Sequence, residues 1–164
     1  MDKFILKKIF NDAPKDGNYI AICSTIAGYH EFLVRPLAGS RFPLGLWLEK
    51  TNVYHNNAIL VLSATSDKYS PSIVEQCKGR DIFNKKTGRV PRQLADILAP
   101  QLESGKLIKG MAFYTDKIIN KGRQSGGGPH LCCIYLLKMR SKDTLMELHD
   151  LLHDYDCKVM SNWY

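Results

Sequence analysis

The stretch from Lys86 to Leu107, KTGRVPRQLADILAPQLESGKL, constrains the chain more than any other. Leu94, Ala95, Leu98 and Leu102 recur at the three- and four-residue spacing of one buried helical face. Pro91 suits a first helical position and Gly105 ends the run, so the pattern predicts a helix over 91–103. Just ahead of it, Arg89 and Arg92 flank a Val-Pro pair. Two guanidinium groups beside the unpaired amides of a helix start make a turn suited to an anion.

Charge strengthens that reading. The formal net charge is +7. From Lys78 to Arg92, the six cations Lys78, Arg80, Lys85, Lys86, Arg89 and Arg92 face Asp81 alone. Concentrated positive charge supplies the salt-sensitive, sequence-independent part of nucleic-acid binding, although a solvated basic loop has the same composition. With 164 residues and 45% hydrophobic content, the chain is long enough for one domain with a core. It has no apolar run of spanning length, and MDKFILKKIF lacks the cleavage pattern of a signal peptide, so an intracellular protein with no membrane partner is expected, nuclear in a eukaryote and cytoplasmic in a prokaryote. Five cysteines without a C-x-x-C pair read as reduced thiols, with Cys23, Cys132 and Cys133 as core residues. A zinc group drawn from His130, Cys132 or Cys133, Cys157 and a helix histidine fits no standard spacing.

Along the chain, residues 1–10 suit a short helix or strand packed on the main body, and 11–18 a connector. Tyr19 to Ala27 reads as a strand, after which Gly28 permits a bend. Residues 44–50 and 57–64 are apolar runs joined by a polar connection, a hairpin in which Asn52 and Asn57 serve the turn. Ser70-Pro71 and a Ser72/Glu75 capping pair predict a helix over 71–78. Leu107 to Thr115 is a strand with Met111 and Phe113 on one face, and 130–137 is another. Between them lies a glycine-rich loop over 120–129 carrying Lys121 and Arg123. Leu145, Leu148, Leu152 and Tyr155 mark a closing helix near 142–155. His149 and His153 on that helix read as solvent-facing.

Three segments, in order, carry a family resemblance. Ile26, Ala27 and Gly28 lead into Tyr29, His30, Glu31 and Phe32; LWLEKTNVYHNNAILV follows from Leu46 to Val61; then comes the Gly-Arg-Val-Pro-Arg turn with its Leu-Ala-x-x-Leu-Ala helix. Together they resemble a HIRAN domain from about Tyr19 to Tyr135. The resemblance implies a mostly β α+β fold, an OB-like or SH3-like small barrel of about six strands. Residues 1–18 would form an N-terminal extension and 19–164 one domain with an insertion at about 65–87.

The resemblance also implies a non-enzymatic module without cofactor or metal that binds single-stranded DNA at its 3′ end, with RNA as a variant. A helicase, nuclease or repair protein would be its partner, as in fork-remodelling helicases. By position Tyr54 matches a stacking tyrosine and Asn52 a turn asparagine. Arg89 and Arg92 match phosphate-holding positions, and His30, Glu31 and Phe32 match groove positions. Lys78, Arg80, Lys85, Lys86, Lys121 and Arg123 would form a secondary basic surface. His55 stands where the family has an aspartate near the terminal hydroxyl, and Glu31 beside a phosphate requires a cation such as Arg35. Two other readings stay open: a protein-interaction module on the same barrel, and a hydrolase or nuclease with His30, Glu31 and His55 around a metal.

Overall fold

The computed structural model describes residues 3–14, 17–120, 128–155 and 159–161. In chain order the elements are α1 (Lys3–Asp12), β1 (Asn18–Ile26), the one-turn α2 (Tyr29–Phe32), β2 (Leu44–Leu48) and β3 (Ile59–Ser63). After a 3-10 turn at Ser66–Lys68 come α3 (Pro71–Gln76), β4 (Lys86–Arg89), α4 (Arg92–Glu103), β5 (Leu107–Asn120), β6 (Pro129–Met139), α5 (Lys142–Leu151) and β7 (Val159–Ser161). The strands join in one antiparallel sheet ordered β4-β3-β2-β5-β6-β1-β7.

The sheet curls until its β4 edge meets the end of β1, next to the short edge strand β7. Ala27, just past β1, exchanges both backbone hydrogen bonds with Arg89 at the end of β4, at 2.8 and 2.9 Å. That closure requires a glycine: a Cβ on Gly88 would lie 2.2 Å from the Ala27 carbonyl oxygen. Gly28 then turns the chain in the left-handed region, at φ 84°, and so starts α2 beside the closing seam.

Strand alternation explains why β1 reads as almost continuously apolar. Ile20, Ile22 and Ile26 face the interior with Phe42, Leu44, Ile59, Val61, Leu94, Leu98, Leu145 and Leu148, whereas Tyr19, Ala21 and Cys23 face outward. The outward set is covered too, because Ile9 and Phe10 of α1 pack on it together with Phe113, Ile134 and Leu136. Segment 65–87 enters the main core through Tyr69, Ile73, Cys77 and Ile82. Tyr69 stacks on Phe42 at 4.4 Å, and its hydroxyl donates to the Pro43 carbonyl at 2.8 Å.

Several sequence expectations need correction. Pro91 caps α4 from outside, so the helix starts at Arg92; Gly105, at φ 78°, follows its end as expected. The segment Lys86–Arg89, read as part of a turn, is a strand, with Thr87 and Gly88 buried against β3. β5 continues to Asn120 past an irregularity between Tyr114 and Ile118, where Asp116 adopts φ 61°. α3 stops at Gln76 and is capped by Ser70, whose side chain accepts from the Ile73 amide; a capping box forms at α5 instead, between Ser141 and Thr144. α5 ends at Leu151, although Leu152 remains buried and Tyr155 reaches Ser24. His149 is half-buried, while His153 is exposed.

The seventh strand, β7, has no counterpart in the sequence reading. Cys23, Cys77, Cys132 and Cys133 are buried free thiols, and Cys157 lies outside the described residues. Among the described residues no helix is long and apolar enough to cross a membrane.

Candidate nucleic-acid interface

The connection between β2 and β3 is built around Asn52. Its side-chain oxygen accepts from the backbone amides of Tyr54 at 2.9 Å and His55 at 3.0 Å, and its Nδ2 donates to Glu49 at 2.7 Å. This side-chain turn fixes the backbone locally. The consequence is an unusual exposure: Tyr54 is 88% accessible, with Val53 beside it also open. A tyrosine packed at the barrel edge is therefore excluded. An aromatic ring left out of a core forgoes about 2 kcal/mol of burial.

The turn also docks on α4. His55 Nε2 lies 2.8 Å from Asp96 Oδ1, Asn57 Nδ2 donates to the same oxygen at 3.1 Å, and Arg92 Nη2 donates to the Tyr54 carbonyl at 3.4 Å. Lys50 reaches Glu103 on the same helix at 3.1 Å. Asp96 is held below the usual carboxylate range, first by its bond to His55 and, against some desolvation, by Asn57. Asn57 thus ties the hairpin to the helix, where the sequence suggested a turn role. The His55 side chain is mostly covered and engaged with Asp96.

Arg89 occupies a different environment. Glu49 accepts from its Nε at 2.8 Å and its Nη2 at 3.2 Å; Glu31 accepts from Nη1 at 2.6 Å and Nη2 at 3.4 Å. The guanidinium also lies over the Phe32 ring, 5.2 Å from its centroid. The Glu49 bond is the main influence raising the Arg89 pKa further above its already high ordinary value, and in return it draws the Glu49 carboxyl down. The cation that answers Glu31 is therefore Arg89 rather than Arg35. One hydrogen-bonded chain runs from Glu31 through Arg89, Glu49 and Asn52 to the amides of Tyr54 and His55.

The other candidates are more dispersed. His30 is exposed beside Gly128, where a Cβ would come 2.7 Å from its Nδ1. Lys78, Arg80 and Lys86 are exposed; Arg80 donates to the Arg35 carbonyl at 2.9 Å, and Lys85 pairs with Asp81 at 3.0 Å. Lys121 and Arg123 lie outside the described residues. Among the described residues no group of three or more His, Cys, Asp or Glu side chains is placed to hold a metal, so His30, Glu31 and His55 do not form a metal-binding group.

No family sequence model matches the chain, and no curated protein matches it in sequence. The fold itself is that of a HIRAN-like small barrel, with a seven-stranded antiparallel sheet and five helices among the described residues. In particular, it is similar to the crystal structure of the HIRAN domain of human HLTF, at a TM-score of 0.52 and 13% identity, over 85% of this chain and 93% of that one. At this identity the likeness is one of fold.

Sequence reasoning missed two residues that organise the site. Glu49 sits three residues before Asn52, and Asp96 four after Arg92 on one helix face. The second spacing is the local signal for an acid beside Arg92; nothing local pairs Glu49 with Arg89.

Proposed function

We propose that this chain is a non-enzymatic module that binds single-stranded DNA, with Tyr54 stacking on a base and Arg92 and the basic surface of Lys78, Arg80 and Lys86 following the phosphates. The observation that carries this reading is an almost fully exposed tyrosine on a turn restrained by Asn52 and docked to α4. Base stacking is worth about 1 to 3 kcal/mol per base and requires a ring held ready in water. A duplex hides its base faces, so the site favours single strands. RNA is a variant, because a stacking ring does not sense the 2′-hydroxyl. A helicase, nuclease or repair protein is the class of partner such a module would serve.

End recognition is a further part of the proposal. With His55 in the turn, the carboxylate beside it is Asp96, half exposed and oriented by His55 and Asn57. A terminal 3′-hydroxyl would donate to that carboxylate, and a terminal phosphate would be repelled. Fluorescence anisotropy with short strands ending in a 3′-hydroxyl or a 3′-phosphate, and with a blunt duplex, tests both parts. Binding is expected to rank hydroxyl end, then phosphate end, then duplex. Equal binding of the two single strands removes end recognition, and no preference over the duplex removes the single-strand reading.

A second reading is favoured by one observation. Trp47 on the outer face of β2 is exposed and lies opposite half-buried Leu60, next to Leu62 on β3. Such a patch suits a protein-interaction module, with or without the nucleic-acid site.

A further inference from the structure

The ion pairs around Arg89 are unequal. Glu49 has an 11% exposed side chain, stands at the end of β2 and is also held by Asn52, whereas Glu31 is 49% exposed on the one-turn α2. The side-chain hydrogen bonds described for Glu31 all involve the outer, Nη edge of Arg89, which donates them. Two carboxylate oxygens on that edge have the fork geometry that the two non-bridging oxygens of a phosphodiester also satisfy. While both carboxylates are seated they fill the Nη edge, so a phosphate finds no open donor there, although Lys86 also acts on Glu49 as a further cation. If Glu31 swings into solvent, Glu49 keeps Nε and one Nη2 hydrogen, and Nη1 together with the second Nη2 hydrogen becomes open to a phosphate. Phe32 beneath the guanidinium and Glu49 at Nε hold its plane throughout the exchange.

We infer that Glu31 is a specificity-determining residue: it holds the outer edge of Arg89 in competition with a phosphodiester, so that Arg89 accepts a phosphate from a strand already stacked on Tyr54 and rejects free anions and duplex backbone. This rests on the single-strand reading of the Tyr54 turn. Arg89 connects to that turn through Glu49 and Asn52, so a strand anchored on Tyr54 presents its next phosphates at high effective concentration. Free phosphate and duplex lack that anchor and must displace Glu31 unaided. The contact therefore discriminates by penalising the wrong ligand.

The test is Glu31→Gln, which keeps the shape and removes the charge. Its binding to a short oligothymidylate, a blunt duplex and inorganic pyrophosphate is measured against wild type across a salt series. Duplex and pyrophosphate affinity are expected to rise about fivefold, the scale of one exposed ion pair, and the single strand to rise less. The single-strand salt slope steepens by about 0.7, one further phosphate contact uncompensated by release of Glu31. Wild-type affinities and slope in the variant overturn the inference while leaving the Tyr54 reading intact. If wild type binds no single strand, the Tyr54 reading fails instead. The pyrophosphate arm, followed by the Arg89 Nε–H NMR signal, then still decides the competition: a shift in the variant and not in wild type supports it, and no shift in either overturns it.

Discussion

Arg89 and Arg92 stand three residues apart in one basic motif, yet the fold gives them opposite conditions. Arg89 ends β4 with its side chain 27% exposed, clasped by two carboxylates and lying over an aromatic ring. Arg92 opens α4 in solvent, with a single long bond described, to the Tyr54 carbonyl, and Asp96 nearby. The first guanidinium is an internal tie that joins α2, the end of β2 and the barrel seam. The second remains available. A cation in such a run meets phosphate directly where the fold leaves its charge uncompensated; where it is clasped, as at Arg89, a phosphate must first displace a carboxylate.

Removing each arginine sharpens the contrast. Arg89→Ala leaves Glu31 and Glu49 facing each other without a cation, and a loss of about 3 kcal/mol is expected from breaking a partly buried pair, read as a lower denaturation midpoint. The same pair gives stability a pH dependence. Glu49 has a folded pKa below its ordinary value of 4.5, mainly through Arg89, so its contribution is fully present above that value and is lost as pH falls through the folded pKa. Arg89→Ala is therefore expected to flatten the acid limb of the stability curve, and an unchanged limb would show that the clasp does not stabilise the fold. Arg92→Ala should do the reverse. Stability stays within about 0.5 kcal/mol, as for an exposed residue, and the single-strand salt slope becomes shallower by about 0.7. An unaltered slope would assign Arg92 to solvent.

The same contrast shows what local pattern reveals. The α4 face, the β2–β3 hairpin and the α5 face are legible because apolar spacing and turn residues determine them within a few positions. β4 is hidden because its four residues, Lys-Thr-Gly-Arg, have little strand preference; pairing with β3 and burial of Thr87 and Gly88 make them a strand. The far end of β5 is hidden by Thr115, Asp116 and Lys117, which look like a turn and form an irregularity within a longer ladder. At the site, Asn52 and Tyr54 are legible because an asparagine turn acts over two or three residues. Glu49 is not, and Asp96 is legible only as an acid one turn from Arg92, since LWLEK and LADIL give each acid the appearance of a solvated surface residue. Their partners, Arg89 and His55, lie 40 and 41 positions away.

The most direct test of the account is the affinity of a short single strand for wild type, Tyr54→Phe and Tyr54→Ala, each checked for an unchanged denaturation midpoint. Phenylalanine retains the stacking face and should bind within about twofold of wild type, whereas alanine should weaken binding by about 1 to 3 kcal/mol, roughly 5- to 150-fold. Wild-type affinity in folded Tyr54→Ala would contradict the stacking site.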